Sequence, residues 1–363
     1  MDSYRLPLKS SVNKIVLLAL TVGAITVAAW LASLSTSATH ERVQHELGKL
    51  LFFDNHLSVN HTKSCATCHN PSMAFTDGYR TSVSAFGEPL KHNAPSLVYS
   101  SKFKVLDWAN PTVTNLQVQA QRPLFGTHPI EMGLHLHWST FEQYFLQQPE
   151  YQQLYSSAFP NKKVEAQNLI RCLVKYIESL PQYTSRFDRY QQGNSNALLP
   201  HEQRGMQLFY SKRLRCSECH AGKHFTLASL TAHPDTAYAN IGLIPETRLA
   251  WQQPQGIETI THRLQDHGKY KIPSLRNVGV TEPYMHDGSL ATLDDVISFY
   301  EQVGRSIETR ATDSIQPVLN SRSNKLASFH LTREEKHDLI AFLHTLTDSL
   351  FLQKTSGNTH VIN

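Results

Sequence analysis

The chain has 363 residues, with 34 Lys and Arg against 30 Asp and Glu for a formal charge of +4, and 40% of it is hydrophobic. That length suits about two domains, and a charged fraction of 18% excludes wholesale disorder, a coiled coil or a low-complexity polymer. A +4 excess spread over this length makes no basic stripe, so no nucleic-acid partner is expected.

The first segment bears on the compartment. Arg5, Lys9 and Lys14 precede the uncharged, mostly apolar run Ile15 to Leu34 and the small polar run Ser35-Thr36-Ser37-Ala38. Basic flank, apolar stretch and small residues in that order read as an export signal over residues 1–38. Residues 15–34 also just reach membrane-spanning length. The segment is therefore either cleaved, after Ala38, or kept as an inner-membrane anchor, and in both cases the rest works in the periplasm.

Four of the five cysteines lie in two strings, Cys65-Ala66-Thr67-Cys68-His69 and Cys216-Ser217-Glu218-Cys219-His220. Ahead of them stand Gly48-Lys49-Leu50-Leu51-Phe52-Phe53 and Gly205-Met206-Gln207-Leu208-Phe209-Tyr210, both G-x-x-L-F-aromatic. The cysteine strings start 151 residues apart, about one domain length. This is the pattern of a duplicated unit, each copy a helix leading into an attachment loop. C-x-x-C-H is the c-type haem string: two thiols on one short turn reach two vinyl groups of one porphyrin, and the next imidazole sits under the iron. A shared zinc site would be loose at this separation and leaves the adjacent His unexplained. A redox-active C-x-x-C needs neither the duplication nor the fixed His. Cys65, Cys68, Cys216 and Cys219 are thus the attachment thiols, with His69 and His220 the proximal ligands of two covalent haems. Cys172 is expected to be a small buried hydrophobe.

Between and after these strings, helical periodicity dominates. Val164 to Leu180 puts Leu169, Ile170, Leu173, Val174, Ile177 and Leu180 on one face, and Pro181 ends it. The polar run 191–196 reads as a linker. A helix starts at Thr292, with Asp295 as capping-box acid and Val296, Phe299, Tyr300 and Val303 inward. Another starts with the box Thr332-x-x-Glu335 and buries Leu339, Phe342, Leu343 and Leu346. Strand signals are few, and loops such as Leu227 to Gly268 are long. The expected fold is mostly α: two tandem cytochrome c-type haem domains with long loops, over 39–190 and 197–350, behind the apolar export segment and ahead of a tail over 351–363.

Several further strings occur in order: Ala74-Phe75-Thr76-Asp77-Gly78, Asn93-Ala94-Pro95-Ser96-Leu97, Glu131-Met132-Gly133, Ile272-Pro273-Ser274-Leu275-Arg276-Asn277 and Pro283-Tyr284-Met285-His286-Asp287-Gly288. With them the chain resembles the bacterial dihaem cytochrome c peroxidase superfamily, which includes the MauG enzyme of methylamine utilisation, from about Leu47 to Thr347. Trp108-Ala109-Asn110-Pro111 and Pro123-Leu124-Phe125-Gly126 look closest to a branch that includes an enzyme of methanobactin operons. The resemblance implies a peroxide-reactive N-terminal haem and an electron-relaying C-terminal haem.

The same resemblance assigns the finer roles. Ordinary peroxidases close the N-terminal iron with a His about sixteen residues after the first haem His. Here that place is Ala85, which cannot ligate, so this iron should be five-coordinate. Counting fourteen residues on from His286, where peroxidases carry a Met ligand, reaches Tyr300, as in MauG-like members, where the Tyr is the axial ligand. A phenolate lowers the reduction potential relative to a thioether, and Met285 is expected to pack. Gln119, Pro123 and Glu131 match the distal pocket, with Glu131 the carboxylate that moves a proton during peroxide cleavage. Gln119 and Glu131 are twelve residues apart, slightly more than usual. Trp108 matches the tryptophan between the haems. Asn93, Thr281 and Pro283 match an inter-haem calcium site. His92 and the other scattered histidines are expected at the surface.

The function so implied is an exported dihaem peroxidase using hydrogen peroxide. Its electron donor or protein substrate would be a small cytochrome, a cupredoxin or a copper-associated protein. The alternative is a non-catalytic dihaem electron-transfer cytochrome c, which requires two six-coordinate irons.

Overall fold

The computed structural model describes residues 39–243, 255–302, 323–326 and 328–352. The expected export segment, Val303, part of the long loop after Leu227 and most of the C-terminal tail lie outside the described residues. Among the described residues, no helix is long and apolar enough to cross a membrane.

Among the described residues helices and 3-10 turns dominate, and the strands are one two-residue antiparallel pair, Tyr238–Ala239 against Tyr270–Lys271, apart from isolated bridges. Among the described residues three apolar clusters form, two large ones and a small one of Val105, Ala228, Ala237, Tyr238 and Ile257. The first joins Leu47, Leu51 and Phe52 of the helix over 39–53 to the apolar face of Ala166–Glu178, and Phe351 closes it. The second joins Phe209 to Leu339, Phe342, Leu343 and Leu346, with Leu293 and Ile297 alongside.

The glycine of each G-x-x-L-F string is where two helices cross in contact. A Cβ on Gly48 would stand 1.9 Å from the Cys172 carbonyl oxygen, and one on Gly205 would stand 1.9 Å from that of Asp338. Only glycine lets these backbones meet, and the helix bearing each attachment loop is thereby pinned to the last long helix of its cluster. Cys172 is fully buried at the first crossing.

The helix ends follow their sequence signals. Thr332 accepts from Glu335 N at 3.2 Å while Glu335 Oε2 accepts from Thr332 N at 3.0 Å, opening Arg333–His344. Thr292 and Asp295 form the same box ahead of Leu293–Glu301. In that helix Phe299 is buried as expected, but the rest of the inward face differs from the expected one. Leu293 and Ile297 are buried and Val296 only half so, because Lys336 binds Asp294 at 2.9 Å and Ser298 at 2.7 Å and sets which side faces Arg333–His344. The polar run at 191–196 is a turn and a 3-10 segment, spanned by a fork of Arg186 onto the buried Glu202 at 2.5 and 2.6 Å.

Gly48→Ala or Gly205→Ala is expected to lower stability by about 1–3 kcal/mol through overpacking, read as a drop in the holoprotein's Tm. An unchanged Tm in both variants would contradict the crossing.

Candidate haem centres

The first attachment string is one helical turn, Cys65–Cys68, and the second a 3-10 turn, Cys216–Glu218. Each is followed by a tight return that ends on a phenylalanine in the left-handed region, Phe75 at φ 62° and Phe225 at φ 52°. The carbonyl of that phenylalanine takes a hydrogen bond from the imidazole: His69 Nδ1 to Phe75 O is 3.0 Å, and His220 Nδ1 to Phe225 O is 3.1 Å. A carbonyl only accepts, so Nδ1 carries the proton and Nε2 keeps its lone pair for a ligand. Burial lowers the proton affinity of both rings, which keeps them neutral.

The duplication runs deeper than the two strings first read. Ser96 of Pro95-Ser96-Leu97 donates to Ala74 O at 2.5 Å, and Ser274 of Pro273-Ser274-Leu275 donates to His224 O at 2.6 Å. Each serine thus holds the residue just before its phenylalanine. The correspondence is hidden in the sequence because the two strings follow their cysteines at different distances.

The first cavity, about 880 Å³, is bordered by Cys65, Cys68, His69, Trp108, Gln119, Pro123 and Glu131, among others. The helix Leu116–Phe125 puts Gln119 and Pro123 four residues apart on one face. Glu131 is held by its backbone, whose carbonyl accepts from Ala85 N at 2.7 Å, while Met132 N donates to Pro123 O at 3.0 Å. Burial raises the Glu131 carboxyl above its ordinary range, with Arg122 pulling the other way. Arg122 itself pairs with Asp107 at 3.2 Å. Gln119 Oε1 is buried without a hydrogen-bond partner in the protein, an acceptor left for something in the cavity. From the stretch 81–87 only Ser82 and Val83 reach the cavity wall; His128 and Met132 border it elsewhere.

A second, narrower cavity of about 120 Å³ is bordered by Cys216, Cys219, His220, Met285 and Tyr300. Burial raises the Tyr300 phenol well above its usual range, reinforced by the neighbouring Cys219 and Cys216. Met285 stands on this wall, with a positive φ of 76°.

Four residues border both cavities: Trp108, Tyr270, Lys271 and His286. Trp108 donates its indole N–H to Asn93 O at 2.9 Å. Lys271 N donates to Trp108 O at 2.9 Å, so the short strand carrying Lys271 is docked on the tryptophan. The Lys271 side chain is buried, gives its ammonium to Leu106 O at 2.7 Å and lies 5.3 Å over the Trp108 ring. Desolvation lowers its pKa to about 8. The Tyr270 and His286 rings stack at 3.4 Å. His92 is not a surface histidine: it borders the first cavity, half-buried, with its ring 5.7 Å from Tyr270 and 5.6 Å from His286. Neither Lys271 nor Tyr270 carried a sequence signal, since a lysine reads as surface until tertiary contacts bury it.

Asn93 is buried, with its amide donating to Tyr79 O at 2.9 Å and its backbone N to His286 O at 2.8 Å. Thr281 and Pro283 are half-buried, in the loop that leads to His286. Among the described residues, no group of three His, Cys, Asp or Glu is disposed to hold an ion.

Two unpaired thiols and one neutral imidazole converge on each cavity, and their burial pushes Cys65 and Cys216 up to about 12. With the unpartnered Gln119 oxygen, this donor set fits a covalently attached haem in each half and defines a c-type dihaem protein.

Comparison with known proteins agrees. The family model for di-haem cytochrome c peroxidase matches residues 42–196. The methylamine utilization protein MauG of Methylophilus methylotrophus is 30% identical over 318 residues, covering 87% of this chain and 85% of that protein. The cytochrome c551 peroxidase of Nitrosomonas europaea is 32% identical over 307 residues, covering 83% and 79%. Among solved structures, a MauG-like protein associated with microbial copper homeostasis superposes with a TM-score of 0.76 at 35% identity, covering 85% of this chain and 91% of that one. The chain belongs to the di-haem cytochrome c peroxidase and MauG family, peroxidase-type oxidoreductases with two c-type haems.

Lys271→Met removes a buried cation that borders both cavities. Both haem reduction potentials are expected to fall, by on the order of tens of millivolts, given roughly 59 mV per 1.4 kcal/mol for one electron. Because Lys271 is charged below its pKa of about 8 and neutral above it, the difference from wild type should be largest at acidic pH and fade as pH rises through that value. Spectroelectrochemical titration across pH checks both parts; a pH-independent difference would contradict the second.

Proposed function

We propose that this is an exported peroxidase that spends the oxidising power of hydrogen peroxide on a partner protein. The observation that carries the reading is the half-buried Glu131 on the wall of the cavity above His69, with its proton affinity raised by burial. When bound, the haems supply the iron at which peroxide is reduced and a second centre that stores or relays electrons.

The protein's own part is positional and protonic. His69 and His220 would hold the two irons through Nε2. Glu131 would take a proton from peroxide in the cavity and return it to the leaving oxygen, a role that suits a carboxylate with raised proton affinity. The Gln119 oxygen accepts a hydrogen bond from the substrate, and Pro123 shapes the wall beside it. Ala85 has no ligating side chain, so it would leave the first haem open to peroxide. Tyr300, on the wall of the second cavity, would hold the second iron, and Trp108 would shorten the electron path between the cavities that it borders. Asn93, with backbone oxygens of Thr281 and Pro283, forms the calcium site that holds this region together.

The unit over 39–190 carries the peroxide chemistry and that over 197–350 the relay. The segment ahead of them exports the chain to the periplasm, where a small cytochrome, a cupredoxin or a copper-associated protein gives up electrons. Similarity to the copper-homeostasis structure supports the last of these as a protein substrate.

Glu131→Gln is expected to slow the peroxide-induced change of the haem spectrum by about 10²–10⁴-fold without altering the resting spectrum, measured by rapid mixing of the holoprotein. In wild type only the carboxylate accepts the proton, so the rate should fall as pH drops through the raised Glu131 pKa. An unchanged rate in the variant removes Glu131 from the mechanism.

A further inference from the structure

At the seam between the two large apolar clusters stands a pair that borders neither cavity. Tyr183 Oη and His224 Nε2 are 2.6 Å apart, both half-exposed. We propose that Tyr183 is a redox-active tyrosine, with His224 as its proton acceptor, that drains oxidising equivalents from the haem pair when no partner protein is bound. This rests on the peroxidase reading above.

Geometry ties the pair to both centres. His224 precedes Phe225, whose carbonyl holds the proximal His220, and Ser274 fixes the His224 carbonyl at 2.6 Å. On the other side, the Phe103 ring is 6.1 Å from His224, and Phe103 borders the first cavity. The Tyr99 ring lies 4.9 Å from Tyr183, and Tyr99 Oη accepts from Tyr183 N at 2.7 Å. Tyr99 has its own acceptor, Asp348 at 2.8 Å, but it is only 1% exposed. It is placed to relay an electron and not to meet a reductant from solution. Tyr183 is placed to do both.

A phenol gives up an electron far more readily when its proton has somewhere to go. His224 provides that place: burial, Arg276, Lys223 and Lys102 lower its pKa to about 4, so at neutral pH its ring is uncharged and can accept. The same cations crowd the tyrosine, with Lys223 Nζ 3.4 Å and the Arg276 guanidinium 5.6 Å from the ring centroid. They disfavour a positive charge on the ring, so oxidation must expel the proton. They also raise the potential of Tyr183, so that only a strongly oxidised haem pair draws on it.

The step balances as follows. Hydrogen peroxide takes up two electrons, which the bound haem pair would supply, and two protons from solvent, and leaves as two waters. Tyr183 returns one electron to the pair, its Oη–H bond breaks, and the proton passes to His224 Nε2, leaving a neutral phenoxyl beside an imidazolium. A one-electron reductant in solution, an enediol such as ascorbate, then restores the phenol, with the proton coming back from His224, and a second passage through Tyr183 returns the second electron.

The test is to freeze the holoprotein after one equivalent of hydrogen peroxide, without partner, and record its electron paramagnetic resonance spectrum beside those of Tyr183→Phe and His224→Gln. Wild type should show a tyrosine radical, identified by its collapse in width when the protein carries ring-deuterated tyrosine. Tyr183→Phe keeps the ring and the backbone bond to Tyr99. It should lose the signal, respond to peroxide at the wild-type rate, and return more slowly to the resting haem spectrum. His224→Gln should lower the radical yield. A radical that survives unchanged in Tyr183→Phe, or a peroxide-oxidised wild type with no tyrosine radical, overturns the inference while leaving the peroxidase reading intact. A haem spectrum unmoved by peroxide overturns both.

Discussion

The architecture depends on one hydrogen bond, from an imidazole to a backbone carbonyl, made twice. In each half a phenylalanine forced into the left-handed region turns its carbonyl onto the proximal imidazole, His69 to Phe75 and His220 to Phe225. That bond fixes the tautomer, orients the ring and leaves Nε2 bare toward the cavity. The serine that holds the preceding residue and the glycine crossing that pins the helix ahead of the cysteines are its supports. Arg276 extends the support across the seam. Buried beside Asp188 at 2.9 Å, it donates to the Lys223 carbonyl at 2.9 and 2.7 Å and so braces the second loop from behind. An arginine this deep is tolerable because its charge is paired and its donors are used.

Between the cavities the structure sets an aromatic pair beside a tryptophan under a buried lysine. A cation over an indole stabilises the ground state and makes the ring harder to oxidise, so Lys271 and Trp108 form a unit whose electrical character depends on one proton. The first cavity is wide, and carries a carboxylate and an unpartnered amide oxygen. The second is narrow and carries a phenol and a thioether. That asymmetry between two copies of one unit suits a division into a centre that takes substrate and a centre that does not.

The attachment residues and the capping boxes were legible because their chemistry is local. Cys65 to His69 and Cys216 to His220 are read within five residues, and Thr332 finds Glu335 one turn away. The wall of the cavities was less so. Glu131, Gln119 and Tyr300 came from likeness to a family and not from spacing, and they border the cavities that likeness implied. Lys271 and Tyr270 lie in a two-residue strand too short to announce itself, and His92 was expected outside because one histidine among twenty carries no address. Val296 was expected inward because periodicity gives a face only to within a residue. The contacts of Lys336 settle which one.

The measurement that bears most directly on this account is the electron paramagnetic resonance spectrum of the resting ferric holoprotein, taken before any substrate is added. The account predicts one high-spin signal, from a His69 haem with nothing opposite the imidazole, and one low-spin signal, from a His220 haem with both axial positions filled. Two low-spin signals would contradict it. They would mean that a side chain on the first cavity wall, His128 or Met132 among them, closes the iron that Ala85 leaves open, and would return the protein to an electron carrier or to a peroxidase that must first be reduced.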